Sequence, residues 1–397
     1  MKRNVPKKAF LSGFESQRGS GATGVSDLLL HPLDHSHVLA GLGFGDIVIC
    51  DLATPSERKT GPGTQTLVVS HHASVQGLAA HPETDAFVTV GLDCVLVVWD
   101  ATAKTASGRL SLRSGGTAVG VRGGAEQRFD DHVAVGFNTG AIEVFAWSSL
   151  ASVAYVPNTT FGGHETISCL VYSPNGRILA VGSHDNAVYL CDAARDYAPR
   201  KKLLGHSSYI KNMDFSFDNT LLQTSCGAYE IMYWDVRTGL RYKGSQDSIE
   251  SDTQWHTWTL TLGFPVMGIT LEASDGTDVN AASASRDRRL ILSGDDSGHV
   301  KLFNGPATCR WAAHRAYWGH SSHCLGVSFL AGGGYVASCG GRDAAVLLWK
   351  IVPKALGVDD GADGEEIAKP PSARPAWYEG CELHSTIDIL RKAAPMA

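Results

Sequence analysis

Residues 205–237 read GHSSYIKNMDFSFDNTLLQTSCGAYEIMYWDVR. Gly205-His206 opens the stretch, an apolar run follows, and a polar turn at Asp218-Asn219 leads to a second run that ends at Gly227. A third run closes on Trp234-Asp235. Short runs rich in aliphatic and aromatic side chains, bounded by Gly, Asn and Asp, are strands joined by tight turns. One such unit cannot bury both of its apolar faces alone, so neighbours of the same kind are required.

Marking the end of each third run finds them. The markers are Cys50-Asp51, Trp99-Asp100, Ala146-Trp147, Cys191-Asp192, Trp234-Asp235, Phe303-Asn304 and Trp349-Lys350, at intervals of 49, 48, 44, 43, 69 and 46 residues. A four-stranded blade of the WD-repeat kind takes about 40–45 residues. Seven markers predict an all-β fold: a single seven-bladed WD-repeat β-propeller over residues 21–352, with flexible N- and C-terminal extensions. The repeats are numbered one to seven below.

The extensions differ in charge. Residues 1–20 form a basic leader, within which KAFLSGF at 8–14 is an alternating segment expected to close the ring as the outer strand of repeat seven. Residues 353–397 are acidic and rich in Pro and Gly, and read as a linker ending in a short helix over Leu383–Lys392. With 44 glycines and 43% hydrophobic residues, the chain supplies both the tight turns and the large core that a propeller needs.

A net charge of -6 makes no demand for nucleic acid or an anionic membrane as partner. Nine cysteines without a CxxC pair give no disulfide framework, and no apolar stretch approaches the roughly 18 residues that span a bilayer. These features predict an intracellular, soluble protein.

His164, His206 and His320 each follow a glycine at the opening of a repeat. Their expected role is structural: each histidine hydrogen-bonds a hydroxyl on the middle strand and an Asp in the next turn, with the closing Trp at the other end of the relay. Repeat two offers His71 or His72 with Thr89, Asp93 and Trp99. Repeat seven has His320, Asp343 and Trp349, with Cys339 at the expected hydroxyl position. Repeat four pairs His164 with Asp185 but closes on Cys191, and repeat five has His206 and Trp234 but Ala228 where the others have Asp. Incomplete copies around a ring are not the pattern of a catalytic set. With no HExxH and no GxxxxGKS, neither metal, cofactor nor small-molecule substrate is expected, and the protein is not expected to be an enzyme. Asp295-Asp296 lies in SGDDSG and reads as a turn.

Repeat six departs from the period by about 25 residues, and loops longer than about 12–15 residues are often functional. The candidate partner-binding residues are therefore Trp255 and Trp258 of the insertion, with the cluster Arg286, Arg288 and Arg289. Arg342, read as occupying the corresponding turn of repeat seven, joins them.

Across repeats five to seven the strings SCGAYEIMYWD, SDTQWHTWTLTLGFPVMGI, SASRDRRLILSGDDSGHVKLF and GGRDAAVLLWKI together resemble the carboxyl-terminal WD-repeat propeller of the echinoderm microtubule-associated-protein-like family. The resemblance implies a non-enzymatic protein that binds tubulin and microtubules, in the cytoplasmic cytoskeleton or the axoneme of a cilium. It also implies an upstream propeller and a coiled coil, neither of which is evident here, and an acidic residue where this chain has Ala228. The residues by themselves leave open a WD-repeat adaptor of another intracellular complex, with the insertion and the tail as peptide-docking elements.

Overall fold

The computed structural model describes residues 25–30, 37–42, 47–51, 64–68, 71–123, 130–161, 163–244, 249, 253–270, 278–310, 312–353 and 381–385. Among the described residues, strands dominate, and two short 3-10 turns, Asn158–Phe161 and Phe264–Ile269, lie between them. Among the described residues, no helix is long and apolar enough to cross a membrane.

The chain divides into two compact units, residues 1–72 and 73–397. The first holds repeat one, a four-stranded antiparallel sheet of Val25–Leu30, His37–Leu42, Ile47–Asp51 and Thr64–Val68. The second holds six sheets whose strands pair antiparallel in chain order. Repeat two runs Val75–Ala80, Ala86–Gly91, Val95–Asp100 and Thr105–Ser111; repeat three runs Gly116–Arg122, His132–Phe137, Ile142–Ala146 and Ser152–Val156. Repeat four runs Ile167–Tyr172, Ile178–Ser183, Ala187–Asp192 and Ala198–Leu204, and among the described residues repeat five has three strands, Ile210–Phe215, Leu221–Cys226 and Ile231–Asp235. Repeat six runs Val279–Ala284, Leu290–Asp295, His299–Asn304 and His314–Trp318; repeat seven runs Cys324–Phe329, Tyr335–Gly340, Val346–Pro353 and Cys381–Ser385.

The turn between second and third strands has one recurring device. Cys94, Gly140, Asn186, Tyr229, Gly298 and Ala344 hold equivalent places in the six repeats, and every one has positive φ. A left-handed residue at the end of the turn is what a short hairpin loop with a bulge requires. At Gly298 the requirement is also steric, since a Cβ there would lie 2.5 Å from the His320 carbonyl oxygen.

Six sheets, not seven, close the ring. Each interval between neighbouring sheets has its own apolar core. Leu96 and Val98 meet Val133 and Phe137 between repeats two and three, and Ile142 and Val144 meet Leu170 and Leu179 between three and four. Val188 and Leu190 meet Met213 and Trp234 between four and five, and Leu292 and Leu302 meet Val336 and Trp349 between six and seven. The circle is completed where Phe87 and Ala101 of repeat two pack on Leu330 and Ala337 of repeat seven, beside a 2.7 Å hydrogen bond from Gly332 N to Asp85 Oδ1. Counting repeats from the sequence cannot distinguish a seventh blade from a sheet that folds in another unit.

The remaining interval, between repeats five and six, is filled differently. Trp255, Trp258, Leu260, Val266 and Ile269 of the insertion lie between Tyr233 of repeat five and Ala282, Ile291 and Phe303 of repeat six. The extra length of repeat six is thus a wedge completing the ring.

The strand on the outer side of Val346–Pro353 is Cys381–Ser385, with Trp349 opposite Ser385 and Pro353 opposite Cys381. It comes from the stretch expected to be linker and helix. Residues 8–14, expected to take that position, lie outside the described residues. Removing residues 354–397 leaves Val346–Pro353 as an open edge, which invites pairing with a second chain. The truncated protein is expected to melt a few degrees lower and to elute partly as larger species in size-exclusion chromatography; unchanged melting and a monomeric profile would contradict this.

Candidate functional site

Repeat seven contains a continuous relay. His320 Nδ1 lies 3.1 Å from Asp343 Oδ2, and His320 Nε2 lies 2.8 Å from Ser338 Oγ, which also accepts from Trp349 Nε1 at 2.8 Å. The carboxylate accepts a further bond from Ser321 N at 3.0 Å. The hydroxyl is that of Ser338, one residue before the expected Cys339.

Repeat five has the same inner half. His206 Nε2 is 2.7 Å from Thr224 Oγ1, which accepts from Trp234 Nε1 at 2.8 Å. Its outer half differs, because Glu230 approaches from two positions beyond Ala228 and its Oε2 stops 3.7 Å from His206 Nδ1. Neither Thr224 nor Glu230 was singled out from the sequence. In repeat two Trp99 Nε1 donates to Thr89 Oγ1 at 2.8 Å, and Asp93 Oδ1 accepts from Val95 N at 3.1 Å.

In repeat four the expected pair does not form. His164 is exposed and bonds Asn158 at 2.8 Å, while the Asp185 carboxylate accepts from Tyr189 at 2.5 Å and Lys202 Nζ at 3.1 Å. With Cys191 in place of the closing Trp, no indole N–H is there to anchor a hydroxyl, and the histidine turns to solvent. Asp295, read as a turn residue, does cap its turn by accepting from Ser297 N and His299 N at 3.0 Å each. It is also buried against Lys301 Nζ at 2.7 Å.

The candidate partner-binding residues separate. Successive turns of an antiparallel sheet lie on opposite rims. Arg286, Arg288 and Arg289 sit between the first and second strands of repeat six, whereas Arg342 sits between the second and third of repeat seven. Arg342 is therefore on the other rim, where with Asp296, His323 and Asp343 it lines a cleft of about 770 Å³. In that cleft His323 Nδ1 is 2.8 Å from Asp296 Oδ1.

Trp255 and Trp258 are buried in the wedge, so their rings face the core and not a partner. Arg288 is half-buried, adopts a positive φ of 62°, and donates to the Trp255 carbonyl. It braces the wedge. Burial holds its pKa below the ordinary arginine value, opposed by the nearby Asp214 carboxylate.

Arg286 and Arg289 remain exposed. The same rim presents Phe217, which is 64% exposed, and the exposed His256, whose ring lies 5.9 Å from that of Phe217. Burial of part of its ring lowers the His256 pKa, and the positive charges of Arg288 and Arg286 lower it further. An exposed aromatic side chain on a rim with two exposed arginines, of which Arg289 lies 3.9 Å from the Asp287 carboxylate, is a surface suited to an acidic protein partner.

Two expectations follow for the relays. Replacing His320 by Ala removes one partner each from the buried Asp343 carboxylate and Ser338 hydroxyl and is expected to cost about 2–3 kcal/mol in denaturant unfolding, whereas His164→Ala should stay within about 0.5 kcal/mol. Equal effects would contradict the geometry. Burial also depresses the pKa of His206, His314 and His320 below the usual histidine value. The unfolded chain then binds more protons than the folded one, so this stability is complete above about pH 6.5 and is lost as pH falls toward the depressed folded values. The melting temperature is expected to drop as pH falls below about 6.5, and less steeply in His320→Gln; a flat profile would refute it.

Residues 75–351, the span of the six-sheet ring, match the family model of the echinoderm microtubule-associated protein second β-propeller. Among similar proteins, echinoderm microtubule-associated protein-like 3 of Homo sapiens is 33% identical over 331 residues, 82% of this chain and 34% of that protein. The 77 kDa echinoderm microtubule-associated protein of Lytechinus variegatus is 35% identical over 293 residues, covering 72% of this chain and 42% of its own length. Echinoderm microtubule-associated protein-like 2 of Rattus norvegicus is 36% identical over 292 residues, covering 73% and 43%. The chain thus spans between 34% and 43% of the length of these relatives. A family model that covers more than half of the chain, together with these sequence identities, assigns it: the chain belongs to the echinoderm microtubule-associated-protein-like proteins.

Proposed function

We propose that this chain is a non-enzymatic, microtubule-binding propeller of the cytoskeleton, cytoplasmic or axonemal, that meets tubulin through the rim bearing Phe217, His256, Arg286 and Arg289. The observation that carries the reading is the match of the ring to a propeller of microtubule-associated proteins. The rim adds a physical basis. Its two exposed arginines offer planar donor forks to carboxylates, and their charge steers an acidic lattice toward a rigid disc. Affinity then comes from many modest contacts over a broad face. The reading as a binding protein is supported by the use of His206 and His320, whose ring nitrogens face a hydroxyl and a carboxylate of the scaffold.

Co-sedimentation with taxol-stabilised microtubules tests this. The protein is expected in the pellet, less so as salt rises. Arg286→Glu with Arg289→Glu should weaken binding about tenfold, or ~1.4 kcal/mol, while Arg342→Glu, on the opposite rim, should leave it unchanged. Absence of a folded protein from the pellet would turn the assignment to an adaptor of another complex. Equal loss in both variants would move the contact off this rim.

A further inference from the structure

Repeat five groups three side chains of metal-ligating type, of which the relay uses only His206, through its Nε2 atom. Where repeat seven places Asp343 3.1 Å from its histidine, repeat five has Ala228, and Glu230 reaches only to 3.7 Å, beyond hydrogen-bonding range. His206 Nδ1 is left without a hydrogen-bond partner, although its side chain is only 1% exposed. Beside it is the buried Cys226, whose Sγ is 3.3 Å from the same Glu230 oxygen. The three atoms, His206 Nδ1, Cys226 Sγ and Glu230 Oε2, all lie within 4.8 Å of one another.

We propose that His206, Cys226 and Glu230 bind one zinc-class divalent cation, with water as the fourth ligand. The spacing fits. Tetrahedral zinc with nitrogen and oxygen ligands at about 2.0–2.1 Å and sulfur at about 2.3 Å separates its ligand atoms by roughly 3.3–3.6 Å, against the 3.3 and 3.7 Å found here. The mixture of imidazole, thiolate and carboxylate selects a zinc-class ion over magnesium or calcium, which take oxygen.

The surroundings are those of a metal ligand. The other nitrogen of His206 is held at 2.7 Å by Thr224, itself fixed by Trp234, so the ring is oriented from behind. Burial lowers the His206 pKa and so favours the neutral imidazole, in which Nδ1 offers a lone pair when Nε2 carries the proton. Glu230 is 38% exposed and carries a lowered pKa, chiefly through the backbone N–H of Ser207, so a charged ligand stands at an open entrance. Binding replaces the Cys226 thiol proton by the cation and releases that proton to solvent. The proposal is independent of any interaction with microtubules.

Cobalt titration of the full, chelator-treated chain tests it. One equivalent of Co²⁺ is expected to produce a thiolate-to-cobalt charge-transfer band that Zn²⁺ displaces, and Zn²⁺ should raise the melting temperature. Cys226→Ser should abolish the band and the thermal shift. Glu230→Gln alters a half-exposed side chain, which keeps the test valid if Cys226→Ser folds poorly, and should weaken cobalt binding at least tenfold. No band in the unaltered protein, a band that persists in Cys226→Ser, or unchanged affinity in Glu230→Gln would each overturn the assignment.

Discussion

Each sheet of residues 73–397 is apolar on both faces, and the demand that both be covered governs the rest of the fold. The second strands show it most clearly: in Ala86–Gly91, Ile178–Ser183, Leu221–Cys226 and Tyr335–Gly340 the last five residues are all buried. Neither face of such a strand meets water, and where it carries polar residues, as at Gln223, Thr224 and Ser225, these too are buried. A row of sheets would leave two end faces open, and a ring leaves none. Closure therefore sets the arrangement, and every interval must be filled. Five intervals are filled by strand side chains, and the sixth, where repeat five has three strands, by the wedge.

That demand explains how much the sequence revealed. Three strands of each of the seven repeats were legible, because runs of apolar residues between turn residues report burial directly, whereas the outer strand Cys381–Ser385 was read as linker and helix. The ring number was not, since repeat one has the same pattern as the others and differs only in the unit to which it belongs. The wedge looked like a functional loop because it exceeds the repeat period by about 25 residues. Trp255 and Trp258 were read as partner-binding for that reason, yet an apolar insertion in a ring is more economically explained as filling. Rim assignments failed from a related limit: Arg342 and Arg286 sit in similar-looking polar turns, and only strand order shows that they face opposite ways.

Register explains the relays. Thr89, Thr224 and Ser338 pair across from Val97, Met232 and Leu347, each two residues before the closing Trp. The hydroxyl is thus set by its position across the hairpin, not by a fixed count along the chain. In repeats two and five it lies ten residues before the Trp; the turn of repeat seven is one residue longer, so counting back ten lands on Cys339. The second signal, an acid six residues before the Trp, failed in repeat five because Glu has one more methylene than Asp and can approach from Glu230. It does not reach hydrogen-bonding distance of His206, and its carboxylate accepts instead from the Cys226 thiol at 3.3 Å.

The wedge joins the core to the rim through a buried charge. Asp214 is fully buried and accepts from Thr257 Oγ1 at 2.5 Å, Thr259 N at 2.9 Å and Gln223 Nε2 at 3.2 Å. Burial pushes its pKa upward, and these donors and Arg288 pull it back. A carboxylate so placed is tolerable only when its partners are all present, and two of them belong to the wedge. Docking of the wedge is accordingly close to all-or-none. Once docked, Phe217 N bonds Gln254 O at 2.7 Å, His256 N bonds Phe215 O at 2.8 Å, and Arg288 holds the Trp255 carbonyl two residues from Arg286. The aromatic and basic groups of the rim thus take their positions from the same segment that completes the ring, so the length that sets repeat six apart serves closure first and the exposed surface through it.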